Sequence, residues 1–158
     1  MDDERWMRRA LAAGERVKGR TGDNPAVGCV IVREGALVAE GSTQLPPGPH
    51  AEVEAIRAAE AAGADLSRCD LYVTLEPCAF QGRTPPCSRL IVGKRPRRVV
   101  VALRDPHPRV AGAGLRELRE AGIEVVEGVL AEEAARSLAD WLSRFSQLPE
   151  DQPATDRD

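Results

Sequence analysis

The segment LYVTLEPCAFQGRTPPCSRLIVG, residues 71–93, predicts a strand, a loop and a short helix in immediate succession. Residues 71–75 form a short run rich in β-branched and aromatic side chains, which is typical of a buried strand. Residues 77–86 predict an irregular loop, because prolines and a glycine interrupt regular structure there. The adjacent prolines at the end of this loop favour the start of a helix at Cys87. A strand that leads through a loop into a helix indicates an α/β fold.

The sequence on either side of this segment extends the alternation of strands and helices. The predicted elements are helix 2–18, strand 27–33, strand 37–40, helix 51–62, strand 71–75, helix 87–93, strand 99–103, helix 115–121, strand 123–126 and helix 131–147. Strands joined through helices run parallel, whereas the early hairpin adds an antiparallel pair. We therefore predict a three-layer α/β/α fold with a mixed sheet of about five strands.

Length and composition fit a single globular domain. The chain has 158 residues, enough for a substantial core but few for two domains. Only 3% of the residues are aromatic, so we expect an aliphatic core. We expect one domain at residues 1–148. Residues 149–158, PEDQPATDRD, are polar and are expected to form a disordered tail.

Charge and composition limit the classes of partner. The chain has 22 Lys and Arg against 25 Asp and Glu, and it shows neither a basic stripe nor stacking aromatic side chains. We therefore expect no nucleic-acid partner. The charged start MDDERWMRRA lacks the apolar run of a signal peptide, and no apolar stretch is long enough to span a membrane. These features predict a cytoplasmic protein without a membrane partner, whose four cysteines are reduced.

Three candidate metal ligands lie beside the predicted strands and helices. His50 immediately precedes a predicted helix, Cys78 follows a strand, and Cys87 opens the next helix. Imidazole and thiolate bind zinc well, and a helix N-terminus favours a thiolate. Cys29 and Cys69 lack local ligand partners, so we expect them to be small buried residues. One histidine and two cysteines leave a place for water, as in a catalytic rather than a structural zinc site.

Two glutamates near these ligands carry different expectations. Glu52 lies two residues after His50, where its carboxylate can lie beside water at the metal without being a ligand. There it can take a proton from water and deliver it to a ring nitrogen and to departing ammonia. A His-x-Glu triplet followed by a Pro-Cys pair is the pattern of zinc deaminases. Glu76, by contrast, is expected to fix the loop that follows its strand through backbone hydrogen bonds.

Five segments together resemble the deaminase domain of bacterial riboflavin-biosynthesis proteins, within the cytidine-deaminase-like superfamily. They are HAE at 50–52, TLEPC at 74–78, GRTPPC at 82–87, NPAVGCVIV at 24–32 and DPHPRVAGAGL at 105–115. The resemblance covers about residues 5–146. The eight-residue gap between Cys78 and Cys87 separates this branch from cytidine and tRNA adenosine deaminases, which typically have Pro-Cys-x-x-Cys.

The resemblance implies a cytidine-deaminase-like fold and an aminohydrolase that removes the C2 amino group of diaminohydroxyphosphoribosylaminopyrimidine. It implies that His50, Cys78 and Cys87 hold Zn²⁺ and that Glu52 moves the proton. The implied substrate contacts are Asn24 at the heterocycle, Arg83 and Asp105 at the ribose-phosphate side, and also Ala51, His107, Phe80 and Thr43. We further expect a homo-oligomer, taken as a dimer. Many relatives carry a reductase domain, which we do not expect on this chain, so a separate reductase of the same pathway is an expected partner.

Four loop positions distinguish this chain from the family that it resembles. Phe80 stands where the family usually has histidine, His107 where it has asparagine, Thr43 replaces a common histidine, and Asp23 replaces a proline. Because these positions belong to substrate recognition, an alternative is a branch member that deaminates another, unphosphorylated heterocycle in a specialised pathway. Deamination of nucleic-acid bases is disfavoured by the acidic composition. An alternative of a different class is a non-catalytic, zinc-stabilised binding module, against which the intact Glu52 argues.

Overall fold

The computed structural model describes residues 2–79, 86–106 and 111–145, with side chains up to Ser143. Its helices and strands are α1 (Asp2–Glu15), β1 (Gly28–Arg33), β2 (Ala36–Ser42), α2 (Ala51–Ala61), a short 3₁₀ helix (Leu66–Arg68), β3 (Asp70–Leu75), α3 (Cys87–Lys94), β4 (Arg98–Leu103), α4 (Ala113–Glu120), β5 (Glu124–Glu127), α5 (Ala131–Ser137) and α6 (Ala139–Phe145). Up to β5, the predicted bounds agree with these to within three residues. The predicted tail at 149–158 lies outside the described residues.

The strands form one mixed sheet in the order β2-β1-β3-β4-β5. β1 pairs antiparallel with both β2 and β3, whereas β3, β4 and β5 run parallel. The hairpin accounts for the first antiparallel pair, and crossovers through α3 and α4 account for the parallel ones. The predicted fold class, a three-layer α/β/α arrangement with a five-stranded mixed sheet, is confirmed.

Two apolar layers cover the two faces of this sheet. Side chains alternate along β1, so that Cys29 and Ile31 join the layer under α2, α3 and α4, whereas Val30 and Val32 join the layer under α1 and α5. The central strands are therefore buried on both faces, which explains why their sequences are nearly continuous apolar runs. As expected, Cys29 and Cys69 are fully buried and aliphatic residues dominate both layers.

Two glycines allow helices to lie directly on the hairpin. A Cβ atom at Gly28 would lie 1.7 Å from the carbonyl oxygen of Ala10 in α1. A Cβ atom at Gly41 would lie 2.5 Å from the backbone nitrogen of Ala55 in α2. Any larger side chain at either position would push a helix away from the sheet. The position of α2 matters most, because its N-terminus carries His50 and Glu52.

The predicted helix at 131–147 is wrong, because α5 and α6 are separate and meet at Leu138. Ala134 of α5 packs in the layer with α1, whereas Leu138 and Trp141 pack in the layer on the opposite face of the sheet. One straight helix cannot reach both layers, in keeping with the interruption of the helix at Leu138. Its predicted end at residue 147 lies outside the described residues. No helix in the described ranges combines the length and apolar composition that a membrane crossing requires.

Candidate active site

The ends of three neighbouring strands bring distant loops to one edge of the sheet. In the antiparallel pair of β1 and β3, Cys29 lies opposite Val73, so the chain before β1 lies beside the chain after β3. Asn24 and Cys78 therefore line the same cavity, although they are 54 positions apart in the sequence (78 − 24). Ligand sites of α/β sheets form at such edges, beyond the carboxyl ends of the parallel strands.

Two helix N-termini meet at this edge. His50 is the N-cap residue of α2, and Cys87 is the first residue of α3, after Pro86 as its N-cap. Cys78 reaches the same place from the end of β3, and its carbonyl oxygen accepts a hydrogen bond from the Ser88 backbone N–H at 3.0 Å. Free N–H groups at helix N-termini stabilise negative charge, here that of thiolate sulfur.

Three ligand atoms converge, and their spacing fits a tetrahedral zinc ion. His50 Nδ1 lies 3.3 Å from Cys87 Sγ and 3.9 Å from Cys78 Sγ. All three ligand atoms lie within 4.8 Å of one another. Zinc bound tetrahedrally to sulfur at about 2.3 Å and to nitrogen at about 2.0 Å spaces its ligands by about 3.5 to 3.8 Å. The donor set, one imidazole and two thiolates, is one that zinc prefers.

Cys78 is prepared to be a thiolate. Hydrogen bonding from the Cys87 side chain, aided by His50 and by the Cys87 backbone N–H at 3.3 Å, lowers the pKa of Cys78 to about 4. These interactions outweigh burial, which acts in the opposite direction. The thiolate form is the one that binds metal, so the lowered pKa of Cys78 favours metal binding.

Glu52 lies beside these ligands but outside their group. It is the second residue of α2, its side chain is only 4% exposed, and it lines the same small cavity as His50 and Cys78. Among the described residues, the group that could hold a metal consists of His50, Cys78 and Cys87. The cavity has a volume of about 30 Å³, which is room for water-sized groups. A buried carboxylate beside a metal-ligand cluster is a candidate for proton transfer.

Asn24 presents an unsatisfied acceptor to this cavity. Asn24 is 5% exposed, and within the described part of the chain its Oδ1 has no hydrogen-bond partner. Its backbone is held instead, because its N–H donates to Thr21 O at 3.1 Å and its carbonyl accepts from Thr21 Oγ1 at 2.7 Å. Buried polar atoms are rarely left unpaired in proteins. The side-chain oxygen is therefore suited to a donor on a ligand.

Thr43 serves the loop beside Asn24. Its hydroxyl donates to Pro25 O at 2.9 Å and accepts from the Val27 backbone N–H at 3.0 Å. The only hydroxyl proton is thus used within the protein. Thr43 lines the cavity and ties the 43–50 loop to the segment that carries Asn24, a role that the sequence did not suggest.

Two of the remaining predicted contacts lie in the described part of the chain. Ala51 is fully buried as the first residue of α2, and Asp105 is buried two residues after the end of β4. Phe80, Arg83 and His107 lie outside the described residues.

Glu76 accepts backbone hydrogen bonds as expected, but its partners lie in the chain after β4 rather than in the loop after its own strand. Its carboxylate accepts hydrogen bonds from the backbone N–H groups of Asp105, Gly112 and Gly114. Sequence reasoning missed the two glycines as contributors to the site. Gly112 has a φ of +82°, and a Cβ at Gly114 would lie 2.0 Å from Pro77 O. Their spacing as Gly-Ala-Gly after a strand was the only available signal.

Comparison with known proteins assigns the fold and the site to a family. Residues 1–103 match the family model for the cytidine and deoxycytidylate deaminase zinc-binding region. The chain belongs to this family. The matched region includes His50, Glu52, Cys78 and Cys87, so the deaminase zinc-binding region contains the whole metal-ligand group described above.

Similar proteins in this family come from riboflavin biosynthesis. The riboflavin biosynthesis protein RibD of Escherichia coli is 45% identical over 145 residues, which cover 92% of this chain and 39% of that protein. The structure of a diaminohydroxyphosphoribosylaminopyrimidine deaminase/5-amino-6-(5-phosphoribosylamino)uracil reductase from Thermotoga maritima gives a TM-score of 0.87 at 42% identity, over 92% of this chain and 42% of that one. RibD of Acinetobacter baumannii gives 0.86 at 42% identity, with coverages of 92% and 40%. The chain therefore spans about two fifths of the length of these relatives.

These similarities confirm four predictions at the level of the family. They are the resemblance to riboflavin-type deaminase domains, the cytidine-deaminase-like fold, the enzyme class of hydrolytic C–N deaminases, and zinc as the metal.

Proposed function

We propose that this chain is a zinc-dependent aminohydrolase that deaminates diaminohydroxyphosphoribosylaminopyrimidine. The observation that carries the proposal is the convergence of His50, Cys78 and Cys87 beside the buried carboxylate of Glu52. Identities of 42–45% to riboflavin-biosynthesis proteins support the pyrimidine substrate ahead of the unphosphorylated alternative.

The three converging side chains are the proposed zinc ligands. Their spacing, the low pKa of Cys78 and the preference of zinc for nitrogen and sulfur support this assignment. Bound zinc supplies a Lewis acid that lowers the pKa of water toward neutrality. Three ligands among the described residues are typical of a catalytic metal rather than of a structural one, which supports an enzyme over a binding module.

Glu52 is the proposed proton carrier. Its carboxylate takes a proton from the attacking water and gives it to the ring nitrogen next to the amino-bearing carbon. It then transfers the second water proton to the amino group, which leaves as ammonia while the oxygen stays on the ring. Burial of Glu52 in the small cavity supports this role, because bulk water would otherwise exchange its proton.

Substrate recognition is proposed to be shared between the cavity and the outer loops. Asn24 Oδ1 accepts a hydrogen bond from an N–H of the heterocycle, which satisfies its unpaired oxygen. Asp105 and Arg83 contact the ribose-phosphate side, and His107, Phe80 and Ala51 are further proposed substrate contacts. Thr43 contributes by holding the Asn24 segment.

The substrate is tested by measuring ammonia release from the riboflavin intermediate, from free aminopyrimidines and from aminopurines, side by side. Turnover of the phosphorylated pyrimidine alone, or at a far higher kcat/KM, is the expected result. Faster turnover of an unphosphorylated heterocycle would replace this proposal with the alternative. Release of no ammonia by zinc-loaded protein from any of them would favour the binding module.

The oligomeric state, the partner protein and the cellular compartment form a second proposal. We propose a cytoplasmic dimer that passes its product to a reductase. The four free, buried cysteines are in keeping with a reducing compartment. Light scattering of the purified protein tests the dimer, and a coupled assay with added reductase tests the transfer of product.

A further inference from the structure

The carboxylate of Glu76 gathers three backbone N–H groups from a distant part of the chain. Its Oε1 accepts from Asp105 at 3.0 Å and from Gly112 at 2.9 Å, and its Oε2 accepts from Gly114 at 2.9 Å. The residue is 4% exposed and immediately precedes Pro77 and Cys78. Hydrogen bonds to an ionised acceptor are about twice as strong as neutral ones. Glu76 is thus a strong link between the metal loop and the chain after β4.

The three donors lie on both sides of residues 107–110 in the sequence. Asp105 precedes that segment, and Gly112 and Gly114 follow it, so one carboxylate anchors the chain before and after the segment. Two further contacts join the metal loop to the chain around and after β4. The Glu76 backbone N–H donates to Leu103 O at 2.8 Å, and the absence of a side chain at Gly114 lets its backbone approach Pro77 O closely.

The carboxylate of Glu76 is engaged by backbone N–H groups. Its two oxygens accept three hydrogen bonds, and among the described residues it is not part of the group that could hold a metal. It lines the cavity that also contains Glu52, yet Glu52 is the carboxylate beside the ligand cluster. These contacts hold the Asp105 backbone beside the residue that leads into the metal loop.

We propose that Glu76 is a positioning residue that sets affinity for the ribose-phosphate side of the substrate by holding Asp105 against the metal loop. The proposal rests on the proposed function, in which Asp105 contacts that side. His50 and Glu52 lie at the start of α2, which makes none of these three hydrogen bonds. Loss of Glu76 should thus change substrate binding and leave the chemical step in place.

The test is the Glu76→Gln variant, compared with Glu15→Gln on the surface of α1 as a matched control. A glutamine can keep its oxygen toward Asp105 and Gly112, but its NH₂ group then faces the N–H of Gly114. We expect KM to rise about tenfold or more, kcat to stay within about twofold, and zinc to stay near one per chain. Glu15→Gln should change none of these values.

A second measurement does not depend on turnover. Amide hydrogen exchange should show loss of protection at Asp105, Gly112 and Gly114 in Glu76→Gln and no change at the N-terminus of α2. If Glu76→Gln does not fold, Glu76→Asp keeps the charge but shortens the side chain, so its carboxylate cannot reach all three amides and the same rise in KM is expected.

The proposal is overturned if kcat falls as it does for loss of Glu52, if KM is unchanged, or if the three amides keep their protection. Failure of the wild-type protein to release ammonia from the pyrimidine would instead remove the proposed function. Exchange in Glu76→Gln would still decide whether Glu76 anchors the loop.

Discussion

At the scale of single residues, the metal-ligand group depends on backbone geometry as much as on side-chain chemistry. Cys78 acquires its low pKa because Cys87 opens a helix beside it and turns both its side chain and its N–H toward the Cys78 sulfur. The same two cysteines on an exposed loop would carry ordinary thiols at neutral pH.

Replacing Cys87 by serine should abolish tight zinc binding. Loss of an outer partner of a metal ligand already costs about tenfold to a hundredfold in affinity, and loss of a ligand should exceed the upper figure. Zinc content after dialysis, measured by atomic absorption, checks this. Cys69→Ser is the matched control, because Cys69 is equally buried and lies outside the ligand group. Full zinc content in Cys87→Ser would show that the metal binds elsewhere.

Replacing Asn24 by alanine should impair binding without loss of stability. The side-chain oxygen has no partner in the described part of the chain, so its removal relieves a buried unsatisfied acceptor. We expect kcat/KM for the pyrimidine to fall about tenfold to a hundredfold, with a melting temperature equal to or above that of the wild type. An unchanged kcat/KM together with a lower melting temperature would assign Asn24 a structural role.

At the scale of helices and strands, the site depends on how closely α1 and α2 lie on the hairpin. α2 carries His50 and Glu52 at its start, and its distance from β2 is set at Gly41. α1 is held in the same way on the opposite face of the sheet at Gly28. These two glycines of the hairpin therefore determine how closely α1 and α2 pack on it.

Gly28→Ala should destabilise the fold strongly. The new methyl group would lie 1.7 Å from Ala10 O, so α1 or β1 must move, at a cost of about 3 kcal/mol or more. Gly93→Ala is the matched control, because no atom lies within 4 Å of its Cβ position in α3. That variant should be neutral or stabilised by up to about 1 kcal/mol. Urea denaturation measures both, and equal stabilities would contradict the packing described here.

Most strands and helices could be predicted because their apolar residues repeat with the local period. The break at Leu138 could not, because the apolar side chains of α5 and α6 continue the helical spacing and only the sheet shows that they face different layers. The metal-ligand group was accessible from residue types and motif spacing. The contacts of Glu76 with Gly112 and Gly114 were not, because they depend on the pairing of β3 with β4, where Leu75 lies opposite Leu103.

At the scale of the whole molecule, the sheet order turns separate sequence motifs into one site. β1 lies between β2 and β3, so the loops before β1, after β2 and after β3 share one edge. The N-termini of α2 and α3 lie at that edge and carry two of the proposed ligands, His50 and Cys87. The deaminase zinc-binding family retains this arrangement in relatives that are more than twice as long.

The central claim is that Glu52 carries the proton at a zinc site that it does not help to form. It is tested by measuring zinc content and ammonia release from the pyrimidine substrate in parallel, for the wild type and Glu52→Gln. We predict about one zinc per chain in both proteins and a loss of kcat of at least about a hundredfold in the variant. Full activity in Glu52→Gln, or loss of its zinc, would contradict the account.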